Sequence, residues 1–267
     1  MPRQLTLDLR TPPAMGRGDF LPAPANAAAL AALDQPAQWP QGRLILCGPE
    51  GSGKSHIAAF WAAENGARRV AARSLSPEVA DALVPQGGAL VIEDAHRIGG
   101  ATGAELALFH LWNLGAARDG LLLFTARVPP RDWGLTLPDL RSRMEGTALV
   151  QLGAPDEGLL AAVLVKLFAD RQLHPALGVI EALVRRMDRD LGQARRLVAA
   201  IDAAALSENR AVTRPLALAT LDAIDDPQRP AGCPCRGAPW FRRGARPRPG
   251  CRRNPAPRAP DDPRRSA

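Results

Sequence analysis

The 267-residue chain has no run of eighteen apolar residues, and its start lacks the basic segment, apolar stretch and small-residue cleavage site of a secretory signal. A membrane-spanning segment and a membrane partner are excluded on this reading, and a cytoplasmic protein is expected. Cysteine is equally sparse. Three of the four, Cys233, Cys235 and Cys251, fall in a stretch without histidine, which makes a poor zinc set, and Cys47 sits in an apolar run as a small buried residue. The four histidines, His56, His96, His110 and His174, have no metal-site spacing. No fixed-period repeat occurs, which excludes solenoids and propellers.

Lysine is nearly absent: two residues against thirty-two arginines. The formal charge of +7 nonetheless says little about the folded part. Residues 226–267 carry eleven Arg and three Asp, whereas 1–225 carry twenty-three basic and twenty-four acidic residues. Basicity therefore belongs to the tail and does not make the core a DNA-binding protein. That tail is dense in Pro, Gly and Arg with almost no aliphatic residues, so it cannot offset the entropy of ordering and is expected to be disordered.

From residue 43 onward, short apolar runs alternate with helical patterns: RLILCG, a run near Val70, ALVIED, LLLFTA and TALVQL. Apolar runs of this length separated by helices predict an α/β domain, a parallel sheet covered by helices on both faces, over 17–152. Residues 153–225 read instead as a small all-helical domain, with helices predicted over about 156–172, 177–189 and 190–207 and a fourth begun by Thr213 and Pro215. Residues 1–16 form a terminal peptide and linker, and 226–267 the tail.

The segment GPEGSGKS at 48–55 has the spacing Gly-x4-Gly-Lys-Ser between a buried strand and a helix. Gly48, Gly51, Ser52 and Gly53 let backbone N–H groups face phosphate oxygens; Lys54 reaches the β- and γ-phosphates; Ser55 offers its hydroxyl to magnesium. His56, next in the helix, is counted with the nucleotide contacts. Lys54 is one of only two lysines, placed where a broad guanidinium would crowd the loop. Glu93 and Asp94 end the strand ALVIED and are the candidates to orient Mg2+ and water. The expected cofactors are ATP or ADP with Mg2+.

These features together resemble the AAA+ ATPases, and within them the DnaA initiator clade, over about 17–225. The resemblance implies a P-loop AAA+ fold with a helical lid, Asp19, Phe20 and Asn26 on the base side of the nucleotide, LLLFTARVPPRDW as the sensor-1 strand and turn, and LPDLRSRMEG as the segment ending in an arginine finger at Arg143. Arg141 is read as a solvated helix position, and Trp112 and Phe109 as core. At the sensor-1 position stands Arg127, with Thr125 a polar substitute; at the sensor-2 position stands Gly192, with Arg195 and Arg196 a turn later; the first acidic position holds Glu93 rather than Asp. These departures imply weak intrinsic turnover.

The leading peptide Gln4-Leu5-Thr6-Leu7-Asp8-Leu9 alternates leucine with polar residues, which alone suits an edge strand or a frayed end. Joined to a DnaA-like body with no DNA-binding domain, it resembles the Hda family of DnaA regulatory inactivators. In that family Gln4, Leu5, Leu7 and Leu9 would bind the DNA polymerase III β sliding clamp. The implied function is negative regulation of replication initiation: nucleotide-bound and clamp-tethered, the protein presents Arg143 to ATP held by DnaA. DNA would be reached only through the clamp, and a homo-oligomer is compatible with the reading. The alternatives are an autonomous AAA+ ATPase or helicase loader and a DnaA-like initiator acting on origin DNA.

Overall fold

In the computed structural model, five parallel strands form one sheet in the order β2-β3-β4-β1-β5. The structure describes residues 15–83, 86–208 and 210–225; the terminal peptide and the basic tail lie outside them. The strands are β1 (Arg43–Cys47), β2 (Arg68–Ala71), β3 (Ala89–Glu93), β4 (Leu121–Ala126) and β5 (Leu149–Gln151). The helices are α1 (Ala27–Leu33), α2 (Lys54–Glu64), α3 (Pro77–Ala80), α4 (Thr102–Ala117), α5 (Pro138–Glu145), α6 (Glu157–Asp170), α7 (Val179–Val184), α8 (Leu191–Glu208) and α9 (Arg214–Asp225).

Alternation of side chains along each strand explains why the three central strands are mostly apolar, with Arg43, Glu93 and Thr125 the polar residues at or near their ends. Ile45, Leu90, Ile92, Leu122 and Phe124 enter one core with α4 and α5, including Leu108, Leu111, Leu140 and Met144. Their neighbours Leu44, Leu46, Val91 and Leu123 enter a second core with α1 and α2, including Leu33, Ile57, Phe60 and Trp61. The edge strands are shorter and their side chains largely exposed. Helices α6–α9 close around a third core built on Leu160, Leu164, Phe168, Leu183, Leu197 and Leu221.

The five predicted strands and the lid helices therefore appear where expected, with α7 shorter than its periodic pattern. Helices α1 and α3 were not assigned from sequence; α5, which carries the expected helix position Arg141, starts on Pro138, whose fixed φ suits a first helical turn. Trp112 is buried and stacked on Phe124, as expected, but Phe109 is only half-buried and carries a cation on its ring. Among the described residues no helix is long and apolar enough to cross a membrane, and no group of three His, Cys, Asp or Glu could hold a metal ion.

Candidate nucleotide site

The loop 48–53 leaves the end of β1, in the middle of the sheet, and runs into the N-terminus of α2 at Lys54. The parallel arrangement puts this loop, the end of β3 and the end of β4 at one edge of the sheet, the usual place for a ligand in an open α/β fold. Gly51 and Gly53 are left-handed, at φ 71° and 97°, a conformation that turns the loop back onto the helix start at little cost only for glycine.

Lys54 is 8% exposed and folds over its own loop, donating to the carbonyls of Gly48 (2.7 Å) and Pro49 (2.6 Å), with Ser52 Oγ at 3.4 Å. Burial pushes its pKa down, and Arg127 adds to the effect while Asp94 opposes it. No carboxylate lies within ion-pair distance of Lys54 among the described residues. A buried ammonium satisfied by neutral carbonyls, in a loop opening onto a helix N-terminus, is a fit for an anion. Phosphate is the chemistry that matches.

The two predicted acids behave differently. Glu93 is held by Arg69 of the edge strand, Nη2 to Oε1 at 2.7 Å. Asp94 adopts φ 56°, donates its backbone N–H to Thr125 Oγ1 on β4 (3.1 Å), and lies 3.4 Å from Arg97. Of the pair it is Asp94 that acts on Lys54. Thr125 is buried, and its hydroxyl ties the two strand ends together. Ser55 is exposed in the first turn of α2, so the residues that would hold a nucleotide-borne magnesium are Ser55 and Asp94, with Glu93 free to join only by leaving Arg69.

Arg127, expected from the sequence at the sensor-1 position, puts a cation beside the loop: its Nη1 reaches Glu50 Oε2 at 2.6 Å. Above the loop stands the lid. Leu191 donates its N–H to the carbonyl of Gly51 at 3.0 Å, and Asp190 accepts from the N–H groups of Gly192 (2.6 Å) and Gln193 (3.0 Å), capping α8. The contact is so close that a Cβ on Gly51 would meet Asp190 Oδ1 at 2.1 Å.

His56, expected among the nucleotide contacts, has both ring nitrogens engaged by protein: Nε2 lies 3.2 Å from the carbonyl of Gly16, and Nδ1 receives Arg195 of α8. Its pKa is pushed down by burial and then by Arg195, so the ring is neutral, accepting from the guanidinium and donating to Gly16. Phe20 packs edge-on against it at 5.3 Å. Asn26 spends its amide on its own segment, accepting from Ala23 N (2.9 Å) and donating to Leu21 O (3.0 Å). Asp19 binds Lys166 of α6 at 2.9 Å. Thus the second lysine of the chain joins the lid to the segment that leads into the site.

Arg143 lies apart from this cluster, on α5. Its guanidinium donates to Asn113 Oδ1 and sits 4.6 Å from the ring centre of Phe109, both on α4. Sequence reasoning missed three participants: Glu105, a buried acid within an apolar helix; Asn113; and the Asp190–Leu191 contact on the loop.

No protein-family model matches the chain. Among solved structures it is similar to domain III of the replication initiation protein DnaA from Thermotoga maritima, with TM-score 0.65 and 19% identity over 79% of this chain and 96% of that one. It is similar also to AMPPCP-bound DnaA from Aquifex aeolicus (TM-score 0.56, 16% identity, 73% and 65% covered). A mutant of RuvB from Thermotoga maritima matches at TM-score 0.58 and 17% identity, with 75% and 69% covered. At these identities the likeness is one of fold: the chain has a DnaA-like AAA+ fold.

Proposed function

We propose that this protein is a nucleotide-bound regulator of replication initiation that supplies an arginine to ATP held by DnaA, working as an activator of hydrolysis on its partner and as a weak ATPase itself. In this reading the loop 48–55 holds ATP or ADP through Gly48, Gly51, Ser52, Gly53, Lys54 and Ser55. Ser55 and Asp94, with Glu93, would hold the Mg2+ that accompanies the phosphates, and the ion would screen their charge. Loop 48–55 and the Asp190–Leu191 turn that touches it would together close on the nucleotide, giving the shape that DnaA recognises.

The observation that carries the reading is the separation of two cations that have no acidic partner among the described residues. Lys54 is buried and faces only loop carbonyls and a hydroxyl, whereas Arg143 is half-exposed and faces a neutral amide and an aromatic ring. A guanidinium brought beside a transferring phosphoryl group is worth on the order of 10³–10⁵ in rate. Arg127, read from the sequence at the sensor-1 position, is paired with Glu50, which supports slow turnover in isolation.

The leading peptide completes the proposal. Gln4, Leu5, Leu7 and Leu9 would enter a pocket on the sliding clamp, with leucines as anchors and the glutamine as hydrogen-bonding partner, so that tethering raises the local concentration of DnaA and its activator. DNA is met only through the clamp.

The test is hydrolysis of radiolabelled ATP preloaded on DnaA, with DNA-loaded clamp present. Wild-type protein should accelerate it, and Arg143→Ala should fold and bind nucleotide normally yet lose at least about 10³-fold of that acceleration. Full stimulation by Arg143→Ala would reject the arginine assignment. Retention of a chain lacking residues 4–9 on immobilised clamp would reject the tether.

A further inference from the structure

The geometry points to a stripe of α4, Glu105, Phe109 and Asn113, as a cradle that holds the guanidinium of Arg143 ready for a partner's phosphate. The inference rests on the proposed role of Arg143 and deepens it by naming the residues that position it.

Glu105, Phe109 and Asn113 are spaced four apart, so they form one line along the helix, about 12 Å from first to last. Each touches α5 or the turn that starts it. At the N-terminal end, the buried Glu105 carboxylate accepts from Thr136 N (3.0 Å), Thr136 Oγ1 (2.9 Å) and Leu137 N (2.7 Å), fixing the residue before α5 begins. Further along, the Phe109 ring lies under the Arg143 guanidinium at 4.6 Å, and Asn113 Oδ1 accepts from it. The backbone of Arg143 is held as well, its carbonyl accepting from Thr147 Oγ1 at 2.7 Å, between the buried Leu140 and Met144. Helix α5 is thus pinned at both ends to one stripe.

The chemistry of the cradle is selective. An arginine side chain loses much rotamer freedom when it is ordered, so an arm already held in one geometry gives up less on meeting its target. A carboxylate in place of Asn113 would hold the guanidinium more tightly but neutralise it. A neutral amide and a ring face order it while leaving its charge uncompensated. Behind the stripe lies Arg43, 1% exposed and stacked on Trp112 at 4.7 Å, with its Nη2 donating to the Trp112 carbonyl at 2.7 Å. This buried cation and Arg143 repel one another, which disfavours withdrawal of Arg143 into the core. Glu105, Phe109 and Asn113 are positioning residues in this account, and Arg143 alone meets the phosphate.

Two measurements test it together. In the DnaA hydrolysis assay, Phe109→Leu and Asn113→Ala should each lower the maximal stimulated rate about three- to tenfold, the factor that loss of one such ordering contact represents, with the half-saturating concentration unchanged. Phe109→Tyr, which keeps the ring, should restore the wild-type rate. In NMR spectra of the full chain without DnaA, the Arg143 Nε–H signal, identified by its loss in Arg143→Ala, should be shifted upfield by the ring and return to the position of a free arginine in Phe109→Leu. Equal maximal rates for the leucine and tyrosine variants, a change confined to half-saturation, or a faster rate for Asn113→Ala would overturn the cradle. An unshifted wild-type signal would overturn it too. A ring-shifted signal in a protein that fails to stimulate DnaA would uphold the placement of Arg143 on the ring and reject the proposed function instead.

Discussion

Replacing Glu105 by glutamine should destabilise the fold through a mechanism whose size can be worked from the contacts. Glu105 is 1% exposed; its Oε1 receives Gly100 N at 2.8 Å and shares Thr136 N at 3.1 Å, and its Oε2 receives Thr136 N, Thr136 Oγ1 and Leu137 N at 3.0, 2.9 and 2.7 Å. Glutamine keeps one oxygen for the cluster of three and turns an NH2 toward Gly100, leaving two donors face to face. Losing one hydrogen bond to a charged group costs about 1.5–3 kcal/mol, and the three remaining bonds lose their charge assistance. A total of about 3 kcal/mol follows, or a fall in Tm of about 6–12 °C for a domain of this size.

The pH dependence makes the test sharper. Burial alone pushes the Glu105 carboxyl up, but the N–H groups of Leu137, Thr136 and Gly100 together hold it below its ordinary 4.5. A depressed carboxyl contributes stability above its unfolded pKa and loses it as pH falls through the folded pKa. The gap between wild type and Glu105→Gln, measured by thermal unfolding, should therefore be widest at neutral pH and close progressively below pH 4.5. A gap under about 1 kcal/mol at pH 7, or one that does not vary with pH, would show that Glu105 is not the acceptor described.

Gly51→Ala should loosen the lid, because a Cβ there meets Asp190 Oδ1 at 2.1 Å and the residue sits at φ 71°. Strain of about 1–2 kcal/mol and loss of the Leu191 N–H bond should appear as faster amide exchange at the start of α8, and unchanged exchange there would refute the docking. His56 has its pKa lowered from 6.5 by burial and then by Arg195, so the unfolded chain takes up its proton first and stability falls as pH drops below 6.5. His56→Asn should flatten that part of the Tm profile; an unaltered slope would assign it to His96, which burial shifts the same way.

What was legible in the sequence is what local pattern encodes. Strands β1, β3 and β4 are buried on both faces, so four or more consecutive apolar residues mark each of them, and the glycine loop declares itself by spacing between strand and helix. What stayed hidden depends on residues far apart in the chain. Glu105 meets Thr136 across 31 positions, Arg143 meets Asn113 across 30, and His56 meets Arg195 across 139. Periodicity carries no information about such pairs. His56 illustrates the consequence: its place in the first turn of α2 suggested a nucleotide contact, while the lid and the Gly16 carbonyl occupy its nitrogens. Asn26 likewise looked like a base contact and serves its own turn. Phe109 was read as core because helical spacing places it among leucines, and only the fold puts a guanidinium on it.

The account stands on the buried ammonium of Lys54 being an anion site that an adenine nucleotide fills. Isothermal titration of the purified chain with ADP and ATP in Mg2+ tests this most directly. Saturable one-to-one binding is expected, weakened about 10- to 100-fold in Lys54→Ala by loss of a charge-assisted contact. A wild-type chain that takes up neither nucleotide, or a Lys54→Ala chain that binds as tightly as wild type, would contradict it.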